Sequence, residues 1–243
     1  MRWLREEIRT AVQPLFRPPL RFPVLSLLMA TVLMLLCEQY GGVPFFRRQF
    51  TGLTEHADAF SRLLPHFAWF AASFGFYALA PMLWLTLWGK RLSDFGFCLG
   101  DLQSGLKWLS VLLPPMLLVV ATALNLESFR ERYPLNKAAL AGIGPFLGYE
   151  IGFAAYFLAW EFFFRGFLLF SLKPIFGTAA VVIQTIPFAL LHLGKPFPEA
   201  LGAVPAGLVL GLLALRTRSI LPGFCLHTLT AFAMDLGALL LRN

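Results

Sequence analysis

Residues 141–172, AGIGPFLGYEIGFAAYFLAWEFFFRGFLLFSL, carry only three charged side chains, Glu150, Glu161 and Arg165, in a run that is otherwise apolar and aromatic. Wound as a helix with about 1.5 Å of rise per residue, such a run overshoots a hydrocarbon core about 30 Å thick. It must therefore span a bilayer, and it must tilt or break to fit. The rest of the chain reads the same way. Of its 243 residues, 58% are hydrophobic and 14% charged, with a mean hydropathy of +0.71, whereas a soluble domain carries about 25% charged residues. Twenty glycines and 17 prolines lie through the apolar runs, a composition that membrane helices tolerate better than soluble ones. A water-soluble globular class is excluded.

At about 20 apolar residues per span, helices are expected near 22–39, 65–88, 106–125, 141–172, 178–194, 200–215 and 219–241. The expected fold is all-α, a polytopic transmembrane helical bundle of about seven spans (six to eight), forming one integral membrane domain over residues 1–243. Polar connections are expected at 93–107 and 126–138. There is no internal repeat of the kind that marks inverted-repeat transporters.

The net charge of +7 invites a nucleic-acid partner, but the basic residues fall in short clusters between apolar segments, not on one polar surface. Topology explains them better, and no nucleic-acid partner is expected. Arg2, Arg5, Arg9, Arg17 and Arg21 precede the first apolar run. This places the N-terminus on the cytoplasmic side of a bacterial-type plasma membrane, with a short interfacial helix ending at Pro18-Pro19. The first run follows a long, Pro-containing basic segment and has no small-residue cleavage site after it, so it reads as a retained anchor. Cys37, Cys98 and Cys225 are too far apart for a metal knuckle and read as small buried side chains.

An ionisable group within a span costs at least about 2.5–3.5 kcal/mol, so each one demands a partner or a purpose. Those within the expected spans are Glu150, Glu161, Arg165, His192, His227 and Asp235, all in the second half of the chain. Glu38 and His66 lie near span ends, where headgroup contact is the expectation. Chemistry, if present, belongs to residues 141–241. Glu161 and Arg165 stand four apart, on one helix face and within ion-pair reach. Counted from the expected helix ends, Glu161, His192 and His227 come to similar depths on three helices and can converge on one buried polar cavity. A carboxylate there can take a proton from water. Two imidazoles can hold a metal with it, or donate hydrogen bonds to a developing oxyanion.

At these residues a family resemblance becomes specific. Trp160-Glu161-Phe162-Phe163-Phe164-Arg165-Gly166, then Phe188-x-x-x-His192, then His227 on the last helix, resemble the three motifs of the CAAX-protease and bacteriocin-processing (CPBP) intramembrane endopeptidases. Those motifs are Glu-Glu-x-x-x-Arg, Phe-x-x-x-His and His-x-x-x-Asn or Asp. The family includes the type II enzymes that trim prenylated CAAX proteins. The resemblance implies a catalytic core over 141–241 and hydrolysis of a membrane-associated peptide or protein. Glu161 would activate water, Arg165 would position it, and His192 and His227 would bind the oxyanion or a metal. The cofactor is either a divalent metal such as zinc, held by His192 and His227 with Glu161, or none. Two positions depart from the pattern: Trp160 replaces the first glutamate, and Ala231 replaces the Asn or Asp of the third motif. Asp235 lies one turn beyond Ala231, and Glu150 lies about 16 Å before Glu161 along a straight helix, so it reaches the site only if the helix bends. The departures support an alternative, a non-catalytic membrane binding or scaffold protein that keeps the bundle without the reaction.

Overall fold

The computed structural model describes residues 1–54 and 58–241, and no strand occurs among them. The last two residues of the expected 1–243 domain, 242 and 243, lie outside the described residues. Helix α1 (Arg2–Val12) places Leu4, Ile8 and Val12 at fourfold spacing, all exposed, with Arg5 and Arg9 one position on. It stops earlier than the expected Pro18-Pro19, because Pro14 opens a tight turn over Gln13–Phe16 and a proline ring cannot continue the helical ladder.

The remaining long helices are α2 (Arg21–Leu36), α3 (Ala59–Leu87), α4 (Leu102–Ala123), α5 (143–176), α6 (Ala180–Leu190), α7 (Phe197–Thr217) and α8 (Leu221–Leu240). By length and composition, six helical runs among the described residues can cross a membrane. One of them, Ile143–Leu190, holds both the fourth and the fifth expected stretches. It reverses at Gly177, whose φ of 53° a glycine adopts without a Cβ penalty. The returning helix α6 has only 11 residues, about 16 Å of rise, so it cannot cross the hydrocarbon by itself. The expected fifth span, 178–194, is in this respect a half-length helix followed by a turn.

The α5–α6 hairpin is antiparallel. Ring centroids of Phe164 and Phe188 lie 5.5 Å apart and those of Trp160 and His192 6.1 Å apart, one sequence number falling as its partner rises. Between α6 and α7 the backbones approach closely because Gly207 and Gly211 face Thr185 and Val181. A Cβ on Gly207 would stand 2.7 Å from Thr185 Cγ2, and one on Gly211 2.8 Å from Val181 Cγ1. Small residues four apart allow such packing in lipid, where van der Waals contact replaces the hydrophobic driving force. Gln184 fastens the seam, donating from Nε2 to the Gly207 carbonyl at 3.0 Å. Helix α8 packs against α4, α5 and α7.

One end of the bundle is tied through the segment before α4. Asp101 N–H donates to the Thr217 carbonyl at 2.8 Å, and Ile220 N–H to the Gly96 carbonyl at 3.0 Å. At the other end Tyr133 donates to Glu199 at 2.6 Å, and Lys195 pairs with Glu199 at 2.8 Å. His66 corrects an expectation: it is 3% exposed, packs on Phe70 and Tyr149, and accepts from Asn136 Nδ2 at 3.0 Å. It is a packing histidine with a satisfied ring nitrogen.

Gly207→Leu is expected to separate α6 from α7 and to lower the melting temperature in detergent by an amount corresponding to about 1–3 kcal/mol. An unchanged melting curve would show that the close approach is not required.

Candidate active site

Glu161 ends the regular part of α5, and the next seven residues, Phe162–Leu168, wind to the wider i→i+5 pattern. Such single wide turns occur often at functional sites. This one lies where Gly166 brings the backbone against the Phe95 carbonyl, from which a Cβ would stand only 2.8 Å. Glu161 and Arg165 are both fully buried, and Arg165 Nη1 donates to Glu161 Oε1 at 3.1 Å. The same oxygen accepts from His227 Nδ1 on α8 at 2.9 Å. Two donors on Oε1, one of them a guanidinium, suit an ionised carboxylate. The second oxygen, Oε2, has no protein donor.

Two further groups complete the site. Phe188 on α6 lies beneath the Arg165 guanidinium, whose Cζ is 3.9 Å from the ring centroid, a cation–π contact in a dry environment. The Phe188 ring also touches both imidazoles, with centroids 4.6 Å from His192 and 6.3 Å from His227. His192 Nδ1 lies 2.8 Å from the Phe188 carbonyl oxygen. That oxygen only accepts, so Nδ1 carries the proton and Nε2 of the neutral ring presents a lone pair. The His227 tautomer follows in the same way from its bond to the Glu161 carboxylate.

All four expected residues thus meet: Glu161, Arg165 and His227 directly, and His192 through Phe188. Among the described residues, however, no three His, Cys, Asp or Glu groups are placed to hold a metal ion. The donor set argues the same way. Arg165 keeps a positive charge against the same carboxylate, which opposes a dication beside it. As they stand, His192, His227 and Glu161 are not gathered as a metal site.

Sequence reading missed Gly223. A Cβ there would stand 2.9 Å from Glu161 Oε2, so the carboxylate packs against the α8 backbone where a side chain would collide with it. Its only signal was its position four residues before His227, on the same face of α8. Trp160 is 5% exposed and packs on Tyr77, Tyr156, Phe164 and the His192 ring, with its Nε1–H unpartnered. Ala231 is a partly buried packing residue.

Neither proposed substitute acid joins this group. Glu150 and Asp235 are instead each other's neighbours, on α5 and α8. Asp235 is fully buried, and neither of its oxygens has a protein donor. Two ionised carboxylates can only accept, so the pair is satisfied when one proton lies between them.

Removing one partner of a buried ion pair costs about 3–5 kcal/mol, because the other charge is left unpaired. Arg165→Ala is therefore expected to lower the melting temperature sharply in detergent. A wild-type melting curve for this variant would count against the pair.

Residues 145–233 match the family model described as Type II CAAX prenyl endopeptidase Rce1-like. No curated protein and no solved structure matches the chain. The matched stretch contains Glu161, Arg165, His192, His227 and the Gly223 that flanks them. The segment that builds the site is similar to the Rce1-like family model, consistent with the resemblance to the CPBP motifs from which Trp160 and Ala231 depart.

Proposed function

We propose that this protein is an intramembrane endopeptidase that hydrolyses a membrane-associated peptide or protein, with Glu161 as the general base. The observation that carries this reading is the division of labour on one carboxylate. Oε1 is held by Arg165 and His227, while Oε2 lies against Gly223 and has no protein donor. A base needs a fixed carboxyl group with one oxygen left to receive a proton.

In this mechanism water gives its proton to Glu161 Oε2, and the hydroxide attacks the scissile carbonyl carbon. As the tetrahedral intermediate collapses, the C–N bond breaks and Glu161 passes the proton to the leaving nitrogen. Arg165 acts as a positioning residue, with its charge beside the carboxylate throughout. His192 and His227 present acceptor Nε2 atoms as neutral rings, suited to orienting the water. Either one donates to the oxyanion only after gaining a second proton. The N-terminus lies on the cytoplasmic side, in keeping with the arginines that precede α2.

A second reading, a binding or scaffold protein without catalysis, is favoured by Trp160, whose buried indole stands where the family has its first glutamate. The two readings separate by assay. A screen of membrane-anchored peptides with purified protein should show turnover that Glu161→Gln reduces by at least about a hundredfold, the lower range for general-base catalysis. Trp160→Phe should keep most of it. Wild-type turnover that survives Glu161→Gln would refute the base assignment. If wild type is inactive while Trp160→Glu with Ala231→Asn cleaves, the scaffold reading stands.

Gly223→Ala supplies an independent check. Its methyl group would crowd Glu161 Oε2, so cleavage should fall more than tenfold while the melting temperature changes little. Full activity in this variant would remove Oε2 from the mechanism.

A further inference from the structure

At the end of the bundle where α2 begins, a cavity of about 420 Å³ is lined by Phe22, Lys90, Asp94, Phe95, Phe170, Lys173 and Pro174. Three elements meet there: the start of α2, the connection between α3 and α4, and the last turns of α5. Its walls are aromatic, and its charges are cationic in excess. Lys90 Nζ lies 5.1 Å from the Phe22 ring centroid and Lys173 Nζ 5.7 Å from that of Phe170. Neither ammonium has an ion-pair partner among the described residues. Arg21, next to Phe22 in the chain, rests on Trp88, with Cζ 5.4 Å from the ring centroid. Asp94 is the one acid in the lining.

The level of this cavity is fixed by its neighbours. Trp84 and Trp88 lie at the end of α3 with rings 5.7 Å apart, and tryptophans concentrate where the hydrocarbon meets the headgroups. Unpaired lysines in an aromatic-walled hollow at that level match a phosphate in charge, and the apolar walls match the glycerol and the first carbons of the chains. Basic pockets between membrane helices hold lipid headgroups by this physics.

We infer that the hollow between Phe22, Lys90, Phe170 and Lys173 is a binding site for the headgroup of an anionic phospholipid. Lys90 and Lys173 hold the phosphate. Phe22 and Phe170 keep the ammonium groups turned inward, and Asp94 opposes the bound charge. The site lies beyond the C-terminal end of the wide turn that carries Arg165, and it takes no part in hydrolysis.

The test is native mass spectrometry of the full chain, purified in detergent and titrated with phosphatidylglycerol or phosphatidylcholine. Wild type should retain phosphatidylglycerol in preference to phosphatidylcholine. Lys90→Gln with Lys173→Gln should weaken that retention roughly tenfold or more, while Lys90→Arg with Lys173→Arg and the exposed control Lys107→Gln should keep it. Asp94→Asn should strengthen it, an arm that does not depend on loss. Equal retention of the two lipids, or a double glutamine variant that binds like wild type, would overturn the inference. Displacement of the lipid by inorganic phosphate at comparable concentration would overturn the assignment to a lipid, leaving a free-anion site.

Discussion

A carboxylate without water must find its donors in the protein, and much of this bundle is arranged around the donors that Glu161 finds. Arg165 comes from the same helix, one widened turn later, and His227 from α8. Because the guanidinium also rests on Phe188, the single charge of Glu161 ties α5, α6 and α8 together. Lipid is as apolar as the side chains facing it, so burial of hydrocarbon gives little reason for one helix to choose another. The choice falls to polar ties of this kind, and to shape. Around the ion pair the shape is aromatic: Trp160, Phe164, Phe157 and Phe188 surround it with edge and tilted ring contacts. Those rings exclude water and so strengthen the electrostatics they enclose.

The second half of the chain contains two polar levels, not one. Glu161 with its partners forms the first, and Glu150 with Asp235 forms the other. Regular α-helix joins Glu150 to Glu161, and its rise of about 1.5 Å per residue keeps the two levels about 16 Å apart. The wide turn that would be needed to shorten α5 begins only at Phe162, beyond both acids. Sharing a helix face is therefore not enough to bring Glu150 into the site. At each level α8 presents a different neighbour: His227 beside Glu161, and Asp235 beside Glu150.

Trp160 gives the site its particular character. In a position where the related motif has a second carboxylate, it contributes a large ring that packs on Tyr77, Tyr156 and the His192 imidazole. A second buried acid would have required its own donor or proton. The indole requires neither, since only its Nε1–H is polar, and it leaves Arg165 to serve Glu161 alone. The electrostatics at this end of α5 thus close on one carboxylate.

The sequence by itself determined that this is a membrane helix bundle, because no aqueous fold can cover so many apolar side chains. It also determined which half holds the polar groups, because each buried charge is rare enough to count. The ion pair of Glu161 with Arg165 was legible because helical spacing is a local property. Other features are not local. The half-length of α6 depends on the reversal at Gly177 and the turn after Leu190. The tautomer of His192 depends on the carbonyl of Phe188. The pairing of Glu150 with Asp235, and the burial of His66 against Tyr149 and Asn136, depend on which helices become neighbours. The role of Gly223 rests on a side chain that is missing opposite an oxygen 62 positions earlier. A one-dimensional pattern fixes the face and the depth of each residue through the helical repeat, but what stands across from that face is decided only when the helices pack.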